Sequence, residues 1–346
     1  MTATNANARG GGRRGRLTVA GIARLAGVSA PTVSRVLNGQ TGVALGTRRR
    51  VEAILREHGY QRPTGADRAA LLELVFHALD SLWALELIQG VEAVARENEL
   101  AVVLTQMHGR LTPGKAWTEQ VLSRRPYGVI AVLADLTPAQ QVQLSTRSVP
   151  LVTVDPTGEP LHETPSVGAT NWTGAMVATR HLLDLGHRRI AMLGGDQRWP
   201  FCHARLDGFR AAMDFASVPV RPEYVRIGPL YVDGGLREAT ALLQLPEPPT
   251  AILTTNDLQA HGVYEAARRL GRRIPDELSV VGFDDLPFTR WAGPPMTTVR
   301  QPLTGMGATA AQMVVRLASG EPLEHPRVEL ATELIVREST APPRRA

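Results

Sequence analysis

The chain has 346 residues, 43% of them hydrophobic and 21% charged, a globular composition long enough for two or three folding units. Its single cysteine excludes an internal disulfide framework, and the absence of a signal-peptide core and of any long apolar run predicts a cytoplasmic protein. Residues 1–62 contain eleven arginines and two glutamates, a net charge of +9, whereas the remainder carries −4. A basic head therefore precedes a mildly acidic body, which favours nucleic-acid binding by the head alone.

The first sixteen residues, MTATNANARGGGRRGR, are rich in glycine and arginine and predict a disordered basic arm over 1–16. Its arginines are Arg9, Arg13, Arg14 and Arg16. They either attract phosphates without regard to base sequence or keep the arm in solution. The composition favours neither interpretation.

The head, residues 17–62, begins with a pattern that predicts two short helices joined by a tight turn. Thr18 is a suitable N-cap for the first helix, in which apolar residues recur with a helical period. Those residues are Ile22, Ala23, Leu25 and Ala26. Gly27 supplies the turn, and Ser29 caps a second helix at about Ala30–Leu37. Two helices connected in this way are a helix-turn-helix.

A third helix is predicted over Arg48–His58, with Thr47 as its N-cap and an apolar side formed by Val51, Ile54 and Leu55. It begins with three consecutive arginines, although positive charge opposes the dipole at a helix N-terminus. Contact with DNA phosphates supplies a reason for these charges. The alternative is a three-helix packing module with a solvated basic face.

In a helix-turn-helix the second helix enters the major groove of double-stranded DNA, so its outer side faces bases and phosphates. The head therefore predicts a nucleic-acid interface centred on that helix. The residues predicted to contact DNA are Thr18, Ser29, Ala30, Pro31, Thr32, Ser34, Arg35, Asn38 and Arg48.

From residue 72 onward, short apolar runs alternate with amphipathic helices. The predicted strands are Leu72–Phe76, Ala101–Thr105, Gly128–Leu133, Leu151–Asp155, Ile190–Gly194, Ala251–Thr255 and Ser279–Phe283. The predicted helices are Trp83–Asn98, Thr173–Leu185 after a capping Asn171, and Leu258–Leu270. Apolar strands separated by helices predict doubly wound parallel sheets, and their number favours two.

Polar side chains cluster where these strands end. They are His77 and Asp80, Asp135, Asp155, Asn256 with Asp257, and Asp284 with Asp285. Sheets of this kind bind ligands outside the carboxyl ends of their strands, so two facing lobes predict a small-molecule site in a polar cleft. For any single aspartate, capping of the next helix is the alternative. The convergence of several favours a binding site.

The motif Ile22-Ala23, Ala26-Gly27-Val28-Ser29 and Thr32-Val33-Ser34-Arg35-Val36-Leu37-Asn38 resembles the DNA-binding motif of LacI-type transcriptional regulators. The body is similar to the effector-binding core of the LacI/GalR regulators. The segments that carry this similarity include Val167-Gly168-Ala169-Thr170-Asn171, Gly186-His187-Arg188-Arg189-Ile190, Val280-Val281-Gly282-Phe283-Asp284-Asp285 and Thr297-Thr298-Val299-Arg300-Gln301-Pro302. The resemblance covers about Leu17 to Thr340, nearly the whole chain.

This resemblance implies a transcriptional regulator, by family habit a repressor, that binds operator DNA as a homodimer and responds to a small effector, usually a sugar. The implied fold is α/β, with a three-helix head and two doubly wound parallel-sheet lobes like those of periplasmic binding proteins. The implied divisions are a head at 17–62, a short linker at 63–71 and an effector-binding domain at 72–340. The first lobe takes about 72–168 and 299–328, and the second about 169–298 and 329–340.

By the same resemblance, Arg205, Asn256 and Asp284 hydrogen-bond effector hydroxyls. Planar polar groups and an aromatic face suit a sugar, and Trp83 occupies the position where the family often has an aromatic residue. Trp172, Trp199 and Trp291 remain alternatives for that role. The residues predicted to bind the effector are Asp80, Trp83, Asp155, Arg205, Asn256, Asp257 and Asp284.

The linker departs from the family pattern, in which a hinge helix inserts a leucine into the minor groove. The segment from Tyr60 to Leu71 is short, and Gly65 weakens its helix propensity. We therefore predict that Leu71 belongs to the first strand of the body. The spacing of operator half-sites would then be set by the dimer.

Two other functions remain as alternatives: a solute-binding protein that delivers sugar to a transporter, and a DNA-binding protein that responds to no effector. The segment Gly305-Met306-Gly307-Ala308-Thr309-Ala310 matches the dinucleotide fingerprint G-x-G-x-x-A, but a lone match is weak. Close helix packing is the preferred reason for its glycines. The sequence shows no metal-ligand spacing and no catalytic arrangement, so neither a cofactor nor a metal is expected, and the chain is not expected to be an enzyme.

Overall fold

The structure is a computed structural model that describes residues 19–37, 43–57, 68–79, 81–107, 111–134, 136–156 and 164–344. The helices in these ranges are α1 Val19–Ala26, α2 Ala30–Leu37, α3 Leu45–Glu57, α4 Leu82–Glu97, α5 Lys115–Arg124, α6 Pro138–Thr146, α7 Asn171–Asp184, α8 Pro200–Phe215, α9 Val232–Leu243, α10 Asp257–Arg269 and α11 Leu303–Ala318. The strands are β1 Leu71–Phe76, β2 Ala101–Gln106, β3 Gly128–Val132, β4 Leu151–Val154, β5 Ser166–Ala169, β6 Ile190–Gly194, β7 Val225–Ile227, β8 Ala251–Thr254, β9 Ser279–Asp284, β10 Thr297–Arg300, β11 Arg327–Leu330 and β12 Glu333–Ile335. Across these ranges, no helix has the length and apolar character needed to cross a membrane.

The head is a three-helix unit in which α1, α2 and α3 share a small apolar core. Between α1 and α2, Gly27 adopts a φ of +64°, a left-handed conformation that glycine enters without steric cost. The N–H of Val28 donates to the carbonyl of Ala23 at 3.0 Å and closes α1. The predicted helix-turn-helix is therefore confirmed. Its buried residues are Ile22, Ala23, Ala26, Val33, Val36 and Val51.

Two details of the predicted head are wrong. Leu25 is 52% exposed, because the buried face of α1 is narrow and is formed by Ile22, Ala23 and Ala26, with Leu25 to one side of it. The third helix begins at Leu45, so Thr47 is inside α3. The N–H of Arg48 donates to the carbonyl of Ala44 at 2.9 Å. A capping preference worth about 1 kcal/mol is too small to prevent this earlier start.

The body consists of two sheets, each with six strands in the described ranges. Their strand orders are β11-β5-β4-β3-β1-β2 and β12-β10-β9-β8-β6-β7. Every pair is parallel except β12 with β10. The first lobe is the part of the body built on the first sheet, and the second lobe is the part built on the second. The two predicted parallel-sheet lobes are confirmed.

Five strands were not predicted: β5, β7, β10, β11 and β12. Each contains three or four residues and mixes polar with apolar side chains, so no apolar run distinguishes it from a loop. Pairing with neighbouring strands makes these segments strands, although their local sequence does not indicate it. The strand β5, for example, pairs with β11 although the two are far apart along the chain.

Glycines permit close packing between α4 and α11 in the first lobe. A Cβ at Gly307 would collide with the backbone carbonyl of Leu87, and a Cβ at Gly90 would collide with that of Thr304. The G-x-G-x-x-A segment thus lies at a contact between two helices. This arrangement agrees with the preferred packing role for Gly307, whereas a Cβ at Gly305 would make only ordinary contacts, the nearest at 3.7 Å.

Within the residues that the structure describes, the chain crosses between the lobes three times: between β5 and α7, between β10 and α11, and between β11 and β12. The first and third crossing segments are tied together. The hydroxyl of Thr170 accepts the backbone N–H of Thr332 at 2.9 Å, and the two hydroxyl oxygens are 3.0 Å apart. Strand pairing places Val299 and Arg300 in the second sheet, and Glu329 and Leu330 in the first. The lobe bounds drawn from the sequence differ from this by one or two residues at each point.

Several predicted features lie outside the described residues. They are the basic arm at 1–16, Thr18, Asn38, His58, most of the linker at 63–71, Asp80 and Asp135. Leu71, at the end of that linker, is described, and it is the first residue of β1, as the sequence predicts.

Candidate functional site

Side chains from the carboxyl ends of strands in both lobes line a cavity of about 670 Å³, here called the cleft. Small-molecule sites typically enclose about 300–1,000 Å³. The structure therefore brings together most of the residues that the sequence analysis assigned to the effector. The predicted residues that line the cleft are Trp83 and Asp155 of the first lobe and Arg205, Asn256 and Asp284 of the second.

Asp257 does not line the cleft. Its side chain is fully buried, with Oδ2 accepting the N–H of Leu286 at 2.8 Å and Oδ1 accepting the hydroxyl of Thr298 at 2.6 Å. Burial and the neighbouring Asp284 raise the pKa of this carboxyl well above its usual value. Both oxygens thus bind other parts of the second lobe, the segment after β9 and strand β10, and the predicted contact with the effector is wrong.

Arg205, on α8, is a buried cation at the floor of the cleft. Its side chain is 2% exposed, and its Nε donates to Oδ1 of Asn171 at 2.8 Å. Its Nη1 donates to the carbonyl of Thr255 and lies 3.5 Å from Oδ1 of Asp284. The guanidinium stacks on the ring of Phe283 at 3.6 Å from the ring centroid. These contacts fix its position before any ligand arrives.

The contact with Arg205 also explains an incorrect prediction about α7. Asn171 was expected to cap that helix, but it is the first helical residue. Its amide nitrogen donates to the carbonyl of Ala169 at 3.1 Å, and its amide oxygen accepts from Arg205. The buried arginine needs an acceptor more than the helix end needs a side-chain cap, because unpaired buried charge is very costly.

Asp284 and Asp155 face Arg205 from opposite lobes. Asp284 is the last residue of β9 and Asp155 directly follows β4, and both have left-handed backbone conformations, with φ of +116° and +43°, which are uncommon outside glycine. Burial raises the pKa of each carboxyl to about 6, although Arg205 acts in the opposite direction on both. Strained backbone at a cavity is typical of functional sites.

Asp155→Asn is expected to stabilise the unliganded chain at pH 7. The folded-state pKa of Asp155, about 6, lies above its ordinary value of 3.8, so its ionised form opposes folding. The cost is greatest above pH 6, up to about 3 kcal/mol, and falls as the pH is lowered from 6 towards 4. Asparagine also tolerates the left-handed conformation.

Thermal unfolding of the unmodified chain and of Asp155→Asn between pH 4 and pH 8 tests this prediction. The stability difference should shrink steadily below pH 6. A difference that is independent of pH would contradict the assignment.

Aromatic rings from both lobes also line the cleft. Trp83 does so, and so does Trp199, one of the alternatives left open by the sequence. The Trp199 ring meets His77 of the first lobe edge-to-face, with ring centroids 5.1 Å apart. Trp172 and Trp291 do not line this cavity. Two aromatic platforms are therefore available to one ligand.

The cleft includes one important residue that sequence reasoning missed. Gln301 is 4% exposed, and its Nε2 donates to Oδ1 of Asp284 at 2.6 Å. Its buried Oε1 has no hydrogen-bond partner in the described part of the chain. Gln301 directly follows β10. Recognition of β10 as a strand would have placed Gln301 at a carboxyl end, with the other candidates.

Asn256 has a dual position. It lines the cleft, and its side chain also caps α10 by accepting the N–H of Gln259 at 2.9 Å. Its amide donates to the carbonyl of Leu230 at 2.9 Å. Asn256 therefore caps a helix, as the alternative interpretation predicts, and it also lines the cavity.

In the head, Ser29 caps α2 as predicted: its Oγ accepts the N–H of Thr32 at 3.3 Å and lies 2.8 Å from the Thr32 hydroxyl. Because Val33 and Val36 are buried, the opposite face of α2 is exposed. Ala30, Pro31 and Arg35 lie on that face, and Arg48 is half-buried on α3. Thr32 is half-buried, and the side chain of Ser34 is outside the part of the chain that the structure describes. The exposed face has the form required to enter a major groove.

Comparison with known proteins gives consistent matches. Residues 18–63 match the model of bacterial regulatory proteins of the lacI family, and residues 179–340 match the periplasmic binding protein-like domain. The chain is 30% identical over 329 residues to the transcriptional repressor CytR of Escherichia coli, covering 93% of this chain and 96% of CytR. It is 35% identical to the regulator MalR of Streptomyces coelicolor, with the same two coverages.

Solved structures give the same result over nearly the whole chain. The CelR–cellobiose complex is similar with a TM-score of 0.72 and 31% identity, covering 93% of this chain and 99% of CelR. The lac repressor dimer bound to operator and the anti-inducer ONPF is similar with a TM-score of 0.68 and 25% identity, covering 94% and 100%.

A helix-turn-helix head joined to a two-lobed α/β body with a polar cleft defines a class of DNA-binding regulators that carry their own effector-binding domain. The relatives described above are members of that class. The chain belongs to the LacI family of bacterial transcriptional regulators. This confirms the family, the fold class and the regulatory function predicted from the sequence.

Proposed function

We propose that the chain is a homodimeric repressor whose affinity for a pseudo-palindromic operator is controlled by a sugar bound in the cleft. The observation that carries this proposal is Arg205, a guanidinium held rigidly at the floor of the cavity between carboxylates of both lobes. The head at 17–62 binds DNA, the linker spans 63–71, and the domain at 72–340 binds the effector.

The lining of the cleft suits a neutral sugar. Arg205 donates hydrogen bonds, while Asp155, Asp284 and the unpaired Oε1 of Gln301 accept them. Trp83 and Trp199 offer apolar faces to the C–H side of a sugar ring. The related CelR structure is a complex with cellobiose, which supports sugars as the first class to test.

The cleft can control DNA binding because its lining comes from both lobes. Trp83 and Asp155 belong to the first lobe, and Arg205 and Asp284 belong to the second. A ligand that contacts all four favours one angle between the lobes over others. Gln301 lies on a crossing segment and bonds to Asp284, so it links the cleft to the segments that set this angle.

Leu71 supports the view that half-site spacing is set by the dimer. Its N–H donates to the carbonyl of Ala69 at 2.7 Å, and its carbonyl accepts the N–H of Tyr127 at the same distance. The residue is therefore part of β1.

The proposal is tested by fluorescence anisotropy of the purified chain on its own upstream intergenic DNA at fixed salt. Glucose, xylose, cellobiose, xylobiose and maltose are titrated in turn. We expect at least one sugar to change operator affinity about tenfold, or about 1.4 kcal/mol. Weaker binding identifies an inducer, and tighter binding identifies a corepressor.

Two results would contradict the proposal. Tight operator binding that no sugar changes, together with no sugar binding by calorimetry, would favour a regulator without a sugar effector. Sugar binding without any affinity for the upstream DNA would favour a solute-binding protein.

A further inference from the structure

A second cavity adjoins the cleft. It encloses about 950 Å³ and is lined by residues of β5, β11 and the first turns of α7 and α8. The cleft and this second cavity, here called the outer compartment, share three lining residues: Asp155, Gln197 and Phe201. The two spaces are therefore neighbours, and Asp155 borders both.

The carboxylate of Asp155 is placed to serve both spaces. It is 7% exposed, and no donor among the described residues forms a hydrogen bond to it. Its Oδ1 lies 3.7 Å from the point where a Cβ of Gly168 would stand, and Gly168 lines the outer compartment. Arg205 lines the cleft and lowers the pKa of Asp155, whereas Glu329 lines the outer compartment and raises it. A carboxylate that borders both spaces can accept hydrogen bonds from ligand hydroxyls on either side.

The outer compartment has the chemistry of a neutral, polyhydroxylated ligand. Its charged groups are of both signs: Arg198 and Arg327 line it together with Asp155, Asp207 and Glu329, and His203 lies 3.0 Å from Asp207. The lining also includes Trp172, the second residue of α7, which is 42% exposed. Carboxylates, an imidazole and an open aromatic face are the groups that bind sugar rings.

We propose that the outer compartment is a further saccharide subsite, so that the chain binds a linear oligosaccharide of three or more rings. The first rings occupy the cleft, the chain of sugars passes Asp155, and the next ring stacks on Trp172. This inference rests on the proposed function and adds the size of the effector to it. It also gives Trp172 a role separate from that of Trp83 and Trp199.

The test is isothermal titration calorimetry of the full chain with two 1,4-linked series: glucose, cellobiose and cellotriose, and glucose, maltose and maltotriose. In one series the trisaccharide should bind about tenfold more tightly than the disaccharide. Trp172→Ala should remove that gain and leave the disaccharide affinity unchanged, while Trp172→Phe, which keeps a ring, should restore most of it. The matched control is Trp291→Ala, because Trp291 is 87% exposed and lines neither cavity.

Three results overturn the proposal. Equal affinity for disaccharide and trisaccharide in the unmodified chain leaves the outer compartment without a ligand, while the proposed sugar response stands. An equal loss of affinity for the disaccharide and the trisaccharide in Trp172→Ala would mean that Trp172 stabilises the fold of the lobe and does not bind a further ring. Failure of every sugar to bind, whatever its length, contradicts the proposed function, and the subsite falls with it.

Discussion

Arg205→Ala is expected to abolish the effector response and to destabilise the body by about 3–5 kcal/mol, because it leaves buried carboxylates without their cation. Arg205 is 2% exposed and faces Asp284, which is 6% exposed. The change removes the hydrogen bonds to Asn171 and Thr255 as well. Thermal unfolding measures the stability loss. Ligand-dependent thermal stabilisation, worth about 2.7 kcal/mol at a hundredfold excess over Kd, measures the response.

A second variant separates ligand recognition from folding. Arg205→Lys keeps the positive charge but not the planar donor fork, so we expect a folded protein that binds operator normally and ignores the effector. The matched control is Arg272→Ala in the same lobe, since Arg272 is exposed and lines neither the cleft nor the outer compartment. Full effector sensitivity in Arg205→Lys would show that the cleft is not the effector site.

Arg35→Ala is expected to lower operator affinity by about tenfold to a hundredfold without a change in stability. Arg35 lies on the exposed face of α2, opposite the buried Val33 and Val36, so the head loses no packing. A specific contact from arginine to a base edge in the major groove is worth about 1–3 kcal/mol. Anisotropy on operator and on a scrambled duplex measures the affinities, and circular dichroism measures the melting temperature.

The two duplexes also distinguish base contact from phosphate contact. If Arg35 contacts a base, the operator loses affinity and the scrambled duplex changes little. If it contacts a phosphate, both lose affinity and the salt dependence becomes less steep by about one unit. Arg24→Ala is the control, because Arg24 is an exposed arginine on the neighbouring helix α1. No loss of operator affinity in Arg35→Ala would mean that α2 is not the recognition helix.

Local sequence predicted the parts of the fold that local energetics determine. The helix α2 has the bounds expected from Ser29 and the apolar spacing of Val33 and Val36. The predicted strands of the body occur within a residue or two, and most of them are apolar runs buried on both faces, although β2 at the edge of its sheet is not buried. The short strands β10, β11 and β12 depend on partners distant in sequence. No local pattern identifies them.

The same division applies to the cleft. Strand ends indicated Asp155 and Asp284 because every parallel strand delivers its next residue to the same edge of a sheet. The rule does not say which way a side chain turns. Asp257 follows a strand too, but its carboxylate turns to Leu286 and Thr298. Gln301 was missed for the opposite reason, since the strand before it was not recognised.

The hydroxyl contacts between Thr170 and Thr332 restrict how the lobes change their angle. They join two of the three crossing segments, so the backbone torsions of those two cannot vary independently. Fewer independent torsions leave the body a small number of well-defined angles in place of a continuous range. Rotation of the lobes about an axis through these crossing segments displaces each atom in proportion to its distance from that axis. A small adjustment around the ligand thus becomes a larger movement at the far edge of the first lobe, where β1 starts and the chain comes from the DNA-binding head.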